Sequence, residues 1–112
     1  MAIGQAPPGL DRASWRRFSS GQFRAALTLD LHGMTAAEAA SALEEFLQGA
    51  AVQGHRTVEV ITGRGTGPQG GVIRREFAHW LNGPSLRPLL LGACHPARTN
   101  LGSVRLLLRK HR

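Results

Sequence analysis

Leu27-Thr28-Leu29-Asp30-Leu31-His32-Gly33 alternates apolar and polar residues with a period of two, the pattern of a half-buried strand. The leucines face a core, and Thr28, Asp30 and His32 share the other face, so an acid and an imidazole stand side by side. Gly33 follows at once, and Thr35-Ala36-Ala37-Glu38 has the spacing of a capping box. The strand is therefore expected to end just after His32, with a helix beginning directly. That puts the pair at the carboxyl end of a strand, where open α/β sheets place their ligand sites. An isolated Asp-X-His is most often an inert surface pair. A second stretch, Thr62-Gly63-Arg64-Gly65, gives it weight.

Outward from this strand, residues 36–53 carry Ala39, Leu43, Phe46, Leu47 and Ala50 at helical spacing, and Gly54 supplies a stop. Glu38, Glu44 and Glu45 form the solvated face. Thr57-Val58-Glu59-Val60-Ile61-Thr62 is rich in β-branched residues and predicts a second strand. Two strands joined by a helix make a right-handed parallel βαβ unit, so His32 and Gly63 should meet at one sheet edge. A glycine-rich loop over residues 63–71 leads into a second helix with Val72, Ile73, Phe77, Trp80 and Leu81 as its buried stripe, ended by Asn82-Gly83-Pro84. Pro88–Cys94 and Ser103–Arg109 predict two more strands, antiparallel because their connection is short. The order is βαβαββ. This is an α/β two-layer sandwich, a four-stranded mixed sheet with two helices, over residues 27–112. Residues 1–26 form a partly ordered N-terminal arm, in which Leu10, Trp15 and Phe18 lie on one side of a short helix begun near Asp11.

Charge is segregated along the chain. Fourteen Lys and Arg against seven Asp and Glu give a net +7, and thirteen of the fourteen bases are arginine, whose fork suits phosphate. Residues 27–55 are acidic, with four acids and no Lys or Arg, whereas residues 56–112 hold ten bases and two acids. Such a basic surface favours a polyanion partner. Arg74 and Arg75 fall in the first turn of the second helix, where the dipole disfavours cations by a few tenths of a kcal/mol, a conflict that a bound anion resolves. A single cysteine, Cys94, excludes a disulfide framework and is expected to act as a small core residue. No apolar run reaches membrane-spanning length and no signal peptide is visible, so a cytoplasmic, membrane-free protein is expected.

Several chemistries are excluded by spacing. Gly63-X-Gly65 lacks the third glycine of a dinucleotide fingerprint, since Pro68 holds that place, and no Walker lysine closes the loop, so no small-molecule cofactor is expected. The five histidines, His32, His55, His79, His95 and His111, sit on separate elements without ligand spacing, and no metal site is assigned. A serine nucleophile elbow is absent.

Leu29-Asp30-Leu31-His32-Gly33, then Val60-Ile61-Thr62-Gly63-Arg64-Gly65, then Gly71-Val72-Ile73-Arg74-Arg75 and Trp80-Leu81 together resemble the Smr (small MutS-related) domain. The resemblance covers roughly residues 27–112, and the Leu10-Asp11-Arg12 segment looks like the lead-in of short stand-alone bacterial members. It implies a fold similar to the C-terminal domain of translation initiation factor 3, and an endonuclease acting on RNA or DNA with no cofactor required, a divalent metal being compatible. The family's leucine-aspartate-X-histidine motif falls on Leu29 to His32, making Asp30 and His32 the catalytic candidates. Its glycine-X-glycine loop falls on Gly63, Arg64 and Gly65. With Thr62, Arg74, Arg75 and Arg98, these are the nucleic-acid-binding candidates. Where family members often carry a glycine pair and a tyrosine before the last strand, this chain has Asn100-Leu101-Gly102-Ser103-Val104.

The residues themselves are suited to phosphodiester cleavage, which needs a nucleophile deprotonated, a leaving oxygen stabilised and phosphorane charge neutralised. Imidazole is suited to the proton transfer, and Asp30 to orienting it, binding a water or helping to hold a divalent ion. The backbone N–H groups of Gly63 to Gly65 and the Arg64 guanidinium are suited to the phosphate. The alternative is a non-catalytic nucleic-acid or ribosome-binding module, because only Asp30 and His32 speak for chemistry. Salt-dependent binding to nucleic acid separates both from a domain that docks a protein.

Overall fold

The computed structural model describes residues 1–63, 65 and 71–110. Its elements are α1 (Arg12–Ser19), β1 (Leu27–Asp30), α2 (Ala36–Val52), β2 (Thr57–Ile61), α3 (Val72–Leu81), β3 (Leu90–Cys94) and β4 (Ser103–Leu108), with one 3₁₀ turn at Arg87–Leu89. The strands form one mixed sheet in the order β1-β2-β4-β3. β1 and β2 are parallel, with Leu29 opposite Val60 and Asp30 opposite Ile61. β4 runs antiparallel to both β2 and β3. The carboxyl ends of β1, β2 and β3 therefore lie on one edge.

β1 stops two residues earlier than the alternation predicts. The Asp30 carboxylate accepts the His32 N–H at 2.9 Å, which withdraws that donor from the ladder. Leu31 still donates to the Ile61 carbonyl at 2.8 Å, and the Met34 N–H then closes back on Leu31 O at 3.1 Å. Gly33, third in this turn, has φ +82°, so the turn is of type II and needs the left-handed residue where glycine stands. His32 occupies the turn's second position, exposed. β3 also begins later than expected, at Leu90, because Pro88 has no N–H for a ladder and Arg87–Leu89 coils instead.

α2 is closed at both ends by its own sequence. Thr35 Oγ1 accepts the Glu38 N–H, and the Glu38 carboxylate accepts the Thr35 N–H at 2.9 Å. At the other end Gly54 donates to Ala51 O and His55 to Ala50 O, a Schellman pair made possible by φ +81° at Gly54. The helix buries Ala39, Leu43, Leu47 and Ala50 against Val58, Val60, Leu106 and Leu108, and α3 adds Ile73, Phe77 and Leu81 to the same core.

The opposite sheet face has a smaller core. There α1 places Phe18 against Cys94 and Leu107, with Leu10, Trp15, Phe23 and Leu91 around them. Over this face lies the short helix expected in the arm, a third beside the two of the βαβαββ unit. Eight residues are too few for a stable isolated helix. Burying Phe18, which is 1% exposed, contributes roughly 1.5–3 kcal/mol toward holding it there. Asp11 caps it by accepting the Ser14 N–H at 2.7 Å. Burial pushes the Cys94 thiol above its ordinary range. Among the described residues, no buried side-chain nitrogen or oxygen lacks a hydrogen-bond partner.

Thr35→Ala removes half of the capping box and should lower stability by about 1 kcal/mol, read from thermal or urea melting. Hydrogen bonding from the Thr35 N–H holds the Glu38 carboxyl below its ordinary value of 4.5. A depressed folded-state value stabilises the fold above the ordinary value and ceases to do so as pH falls through the folded one. Glu38→Gln should therefore lose less Tm than wild type on acidification from roughly pH 5 to 3.

Candidate functional site

One sheet edge collects the chemistry. β1 ends there in Asp30, and His32 stands two residues on at the apex of its turn. Between them Leu31 is fully buried, so the backbone is anchored while both polar side chains remain exposed. Leu27 and Leu29 pack toward α2 and α3, which puts Thr28 and Asp30 on the other sheet face. The carboxylate is nevertheless turned to the edge, because Oδ1 is bound to the His32 N–H. The acid thus shapes the turn that presents the imidazole, and among the described residues no hydrogen bond joins the two side chains.

β2 reaches the same edge at Ile61, followed by Thr62 and Gly63. Thr62 is buried and is held twice by Gly102 O, through its N–H at 2.8 Å and its hydroxyl at 3.3 Å. Gly63, with φ +88°, donates its own N–H to the same carbonyl at 3.1 Å. That donor is therefore committed within the fold, contrary to the expectation that it serves a phosphate. Gly65 is exposed, with φ +79°, and comes so close to the start of α3 that a Cβ there would lie 3.3 Å from Gly71 N and 3.8 Å from an Arg74 guanidinium nitrogen. Arg64 lies outside the described residues.

Arg74 and Thr62 line a cavity of about 130 Å³ with Phe77, Leu101 and His95. His95 escapes a reading by motif because it is a lone histidine in a loop. β3 runs in the direction of β1 and β2, however, and so delivers its final residues to the same edge. Its Nδ1 is 2.9 Å from Ser103 O, and since a carbonyl can only accept, Nδ1 carries the proton and Nε2 is left for other partners. Arg98 lines an adjoining groove further along the β3–β4 loop, and Arg75 is exposed beside Arg74 on α3. Among the described residues, Thr62 and Arg74 thus share one cavity and Arg98 lines the groove beside it, along the edge where Asp30 and His32 stand.

Acidic side chains are sparse here. Besides Asp30, the edge holds Glu38 in the first turn of α2; arginine, histidine and threonine line the cavities, and Glu44 and Glu45 lie further along α2. Among the described residues no group of three or more His, Cys, Asp and Glu is arranged to hold a metal ion. Asp30 and His32 together offer two donors, one oxygen of which is already occupied by the turn.

The comparisons with known proteins agree with this architecture. The structure is similar to that of YdaL, a stand-alone small MutS-related protein from Escherichia coli, with a TM-score of 0.74 and 23% identity over 95% of this chain and 82% of that one. No curated protein sequence matches the chain. The model of the Smr domain matches residues 29–109, which begins at the leucine of Leu29-Asp30-Leu31-His32 and runs through β4. By that match over most of its length, the chain belongs to the Smr domain family.

Proposed function

We propose that this protein is an endonuclease that cuts phosphodiester bonds in RNA or DNA at the edge where β1 and β2 end. The observation that carries the reading is the Asp30–His32 turn. It holds an exposed imidazole on a rigid, buried anchor, at the same edge as Thr62 and Arg74. The Smr family is one associated with nucleases, and a net charge of +7 with arginine concentrated after residue 55 supports a polyanionic substrate.

On RNA, His32 takes the proton of the 2′-hydroxyl. That oxygen bonds to phosphorus, the bond to the 5′-oxygen breaks, and the departing oxygen takes a proton from solvent or from the imidazolium. Asp30 fixes the turn that aims the ring. Arg64, Arg74 and the backbone of the loop beyond Gly63 neutralise the phosphorane, while Arg75 and Arg98 contact neighbouring phosphates. On DNA water replaces the 2′-hydroxyl as nucleophile; Asp30 and His32 are the residues that would hold a divalent ion, which would supply a bound water of lowered pKa. No other cofactor is needed. The partner is nucleic acid, ribosome-associated RNA included. A lone buried thiol suits a reducing compartment, and we place the protein in the cytoplasm; no helix among the described residues is long and apolar enough to cross a membrane.

His32→Ala should reduce cleavage of labelled RNA or DNA by about a hundredfold or more and leave binding nearly intact, because general acid–base catalysis contributes about 10²–10⁴-fold. Asp30→Asn keeps the size and one acceptor of the turn, so a comparable loss there indicates that the charge is used as well. If pure wild-type protein cuts neither nucleic acid with or without chelator, the binding-module reading replaces this one.

Arg74→Ala should weaken binding across all sequences and lower the slope of log K against log salt by about one, as for a lost phosphate contact. An unchanged slope removes Arg74 from the interface.

A further inference from the structure

We infer that the groove between α1 and the β3–β4 loop is a subsite for an unpaired base of single-stranded nucleic acid, with the Trp15 ring as its stacking platform. This rests on the reading that the protein acts on nucleic acid, and it is independent of whether the protein turns over.

The groove has a volume of about 710 Å³ and is lined by Trp15, Ser19, Cys94, His95, Arg98 and Leu101, among others. That is within the range of about 300–1,000 Å³ in which small-ligand sites fall. Trp15 is held rigidly. A Cβ added at Gly92 would come 3.2 Å from Trp15 Cζ3, so the ring lies directly on the bare backbone of β3. Phe18 supports it from the side at 5.8 Å between centroids, tilted by 55°. The ring remains only half-buried, and its open part belongs to the groove. A fixed aromatic surface binds a base with little loss of side-chain freedom.

Leu101, which also lines the groove, is 47% exposed, one of two large apolar side chains left so open among the described residues. The Trp15 ring lines the same groove, so the groove has apolar side chains from both α1 and the β3–β4 loop. Around them the charge is of one sign. Arg98 lines the groove, Arg74 lines the adjoining cavity, and no acidic side chain is found among the residues described as lining either. An apolar groove bordered by cations matches a nucleotide, which joins an uncharged π-face to a phosphate, better than it matches an acid-free apolar peptide. His95 and Leu101 line both the groove and the cavity of Thr62 and Arg74. A strand with one phosphate at Arg74 therefore passes over His95 and delivers its next base to Trp15. In a duplex that base is already stacked within the helix and cannot enter.

The test is equilibrium binding by fluorescence anisotropy, using the full chain with His32→Ala and two fluorescein-labelled probes, a short oligothymidylate and a blunt-ended duplex without unpaired bases and of equal phosphate number. Trp15→Ala should weaken single-strand binding about 5- to 100-fold, as for loss of one stacked base, and change duplex binding by no more than about twofold. Trp15→Phe should restore most of the loss. Because Trp15→Ala can also loosen α1, Leu101→Ser at an exposed position is the second variant, expected to weaken only the single strand, by about threefold or more, at unchanged Tm. Equal losses on both probes, or normal single-strand binding by Leu101→Ser together with a lowered Tm in Trp15→Ala, overturn the subsite. Failure of the nuclease reading appears separately, as intact binding by wild-type protein without cleavage.

Discussion

The parallel ladder between β1 and β2 is the constraint on which the site depends. Its last bond, from Leu31 N–H to Ile61 O, lies outside the regular strand and carries the pairing up to the turn. Leu31 is fully buried between two exposed residues, and that alternation fixes the register. A slip by one residue would bring Leu31 to the surface and press Asp30 and His32 toward an apolar core, at a cost of several kcal/mol for the charged group alone. Parallel pairing also demands a crossover, and α2 supplies it with its cap placed immediately after the turn. Strand, turn and helix therefore specify one another within a dozen residues.

β4 divides the structure into two cores. Val104, Leu106 and Leu108 face α2 and α3, while Leu107 faces α1. Arg105 shares that second face, and it is half-buried. Its Nε donates to Glu59 at 3.2 Å and a terminal nitrogen to Phe23 O at 3.2 Å. As a single ion pair only partly shielded from solvent this contributes about 1 kcal/mol or less. Its second bond matters more, since it ties the segment leading out of α1 to the centre of the sheet. The arm is thus fastened at two levels, by Phe18 in the apolar patch and by Arg105 below it.

Local rules made most of this fold legible. Alternation over residues 27–31, the Thr35–Glu38 box, the Gly54 stop and the stripe on α3 each follow from spacing within one element, and the structure has each of them. The docking helix was visible in Leu10, Trp15 and Phe18 for the same reason. What spacing does not encode is the lateral order of strands. Because β4 inserts between β2 and β3, His95 is carried to the edge of Asp30 and His32, although nothing near it in the chain marks it. The same insertion brings Gly102 to Thr62 and Gly63, whose N–H groups are consumed there. A glycine loop reads as a row of free donors only while its neighbours across the sheet are unknown.

The site that results is an exposed edge, and this decides where its electrostatics can arise. In water, charges 4 Å apart interact by only about 1 kcal/mol, and by about 4 kcal/mol at the effective dielectric typical of pairs near a protein surface. Asp30, His32, Arg74 and Arg98 are open to solvent in the free protein. A pocketed enzyme dries its charges by folding; an edge of this kind can dry them only when a substrate lies across it. The segregation of charge along the chain is suited to that arrangement. With three of the five glutamates on α2 and nine of the thirteen arginines after residue 55, a polyanion would meet little repulsion on the basic side and would itself be the cover that excludes water. Under the proposed nuclease reading, binding and activation of the site become the same event, and a ligand too short to span the edge is held without being well cut.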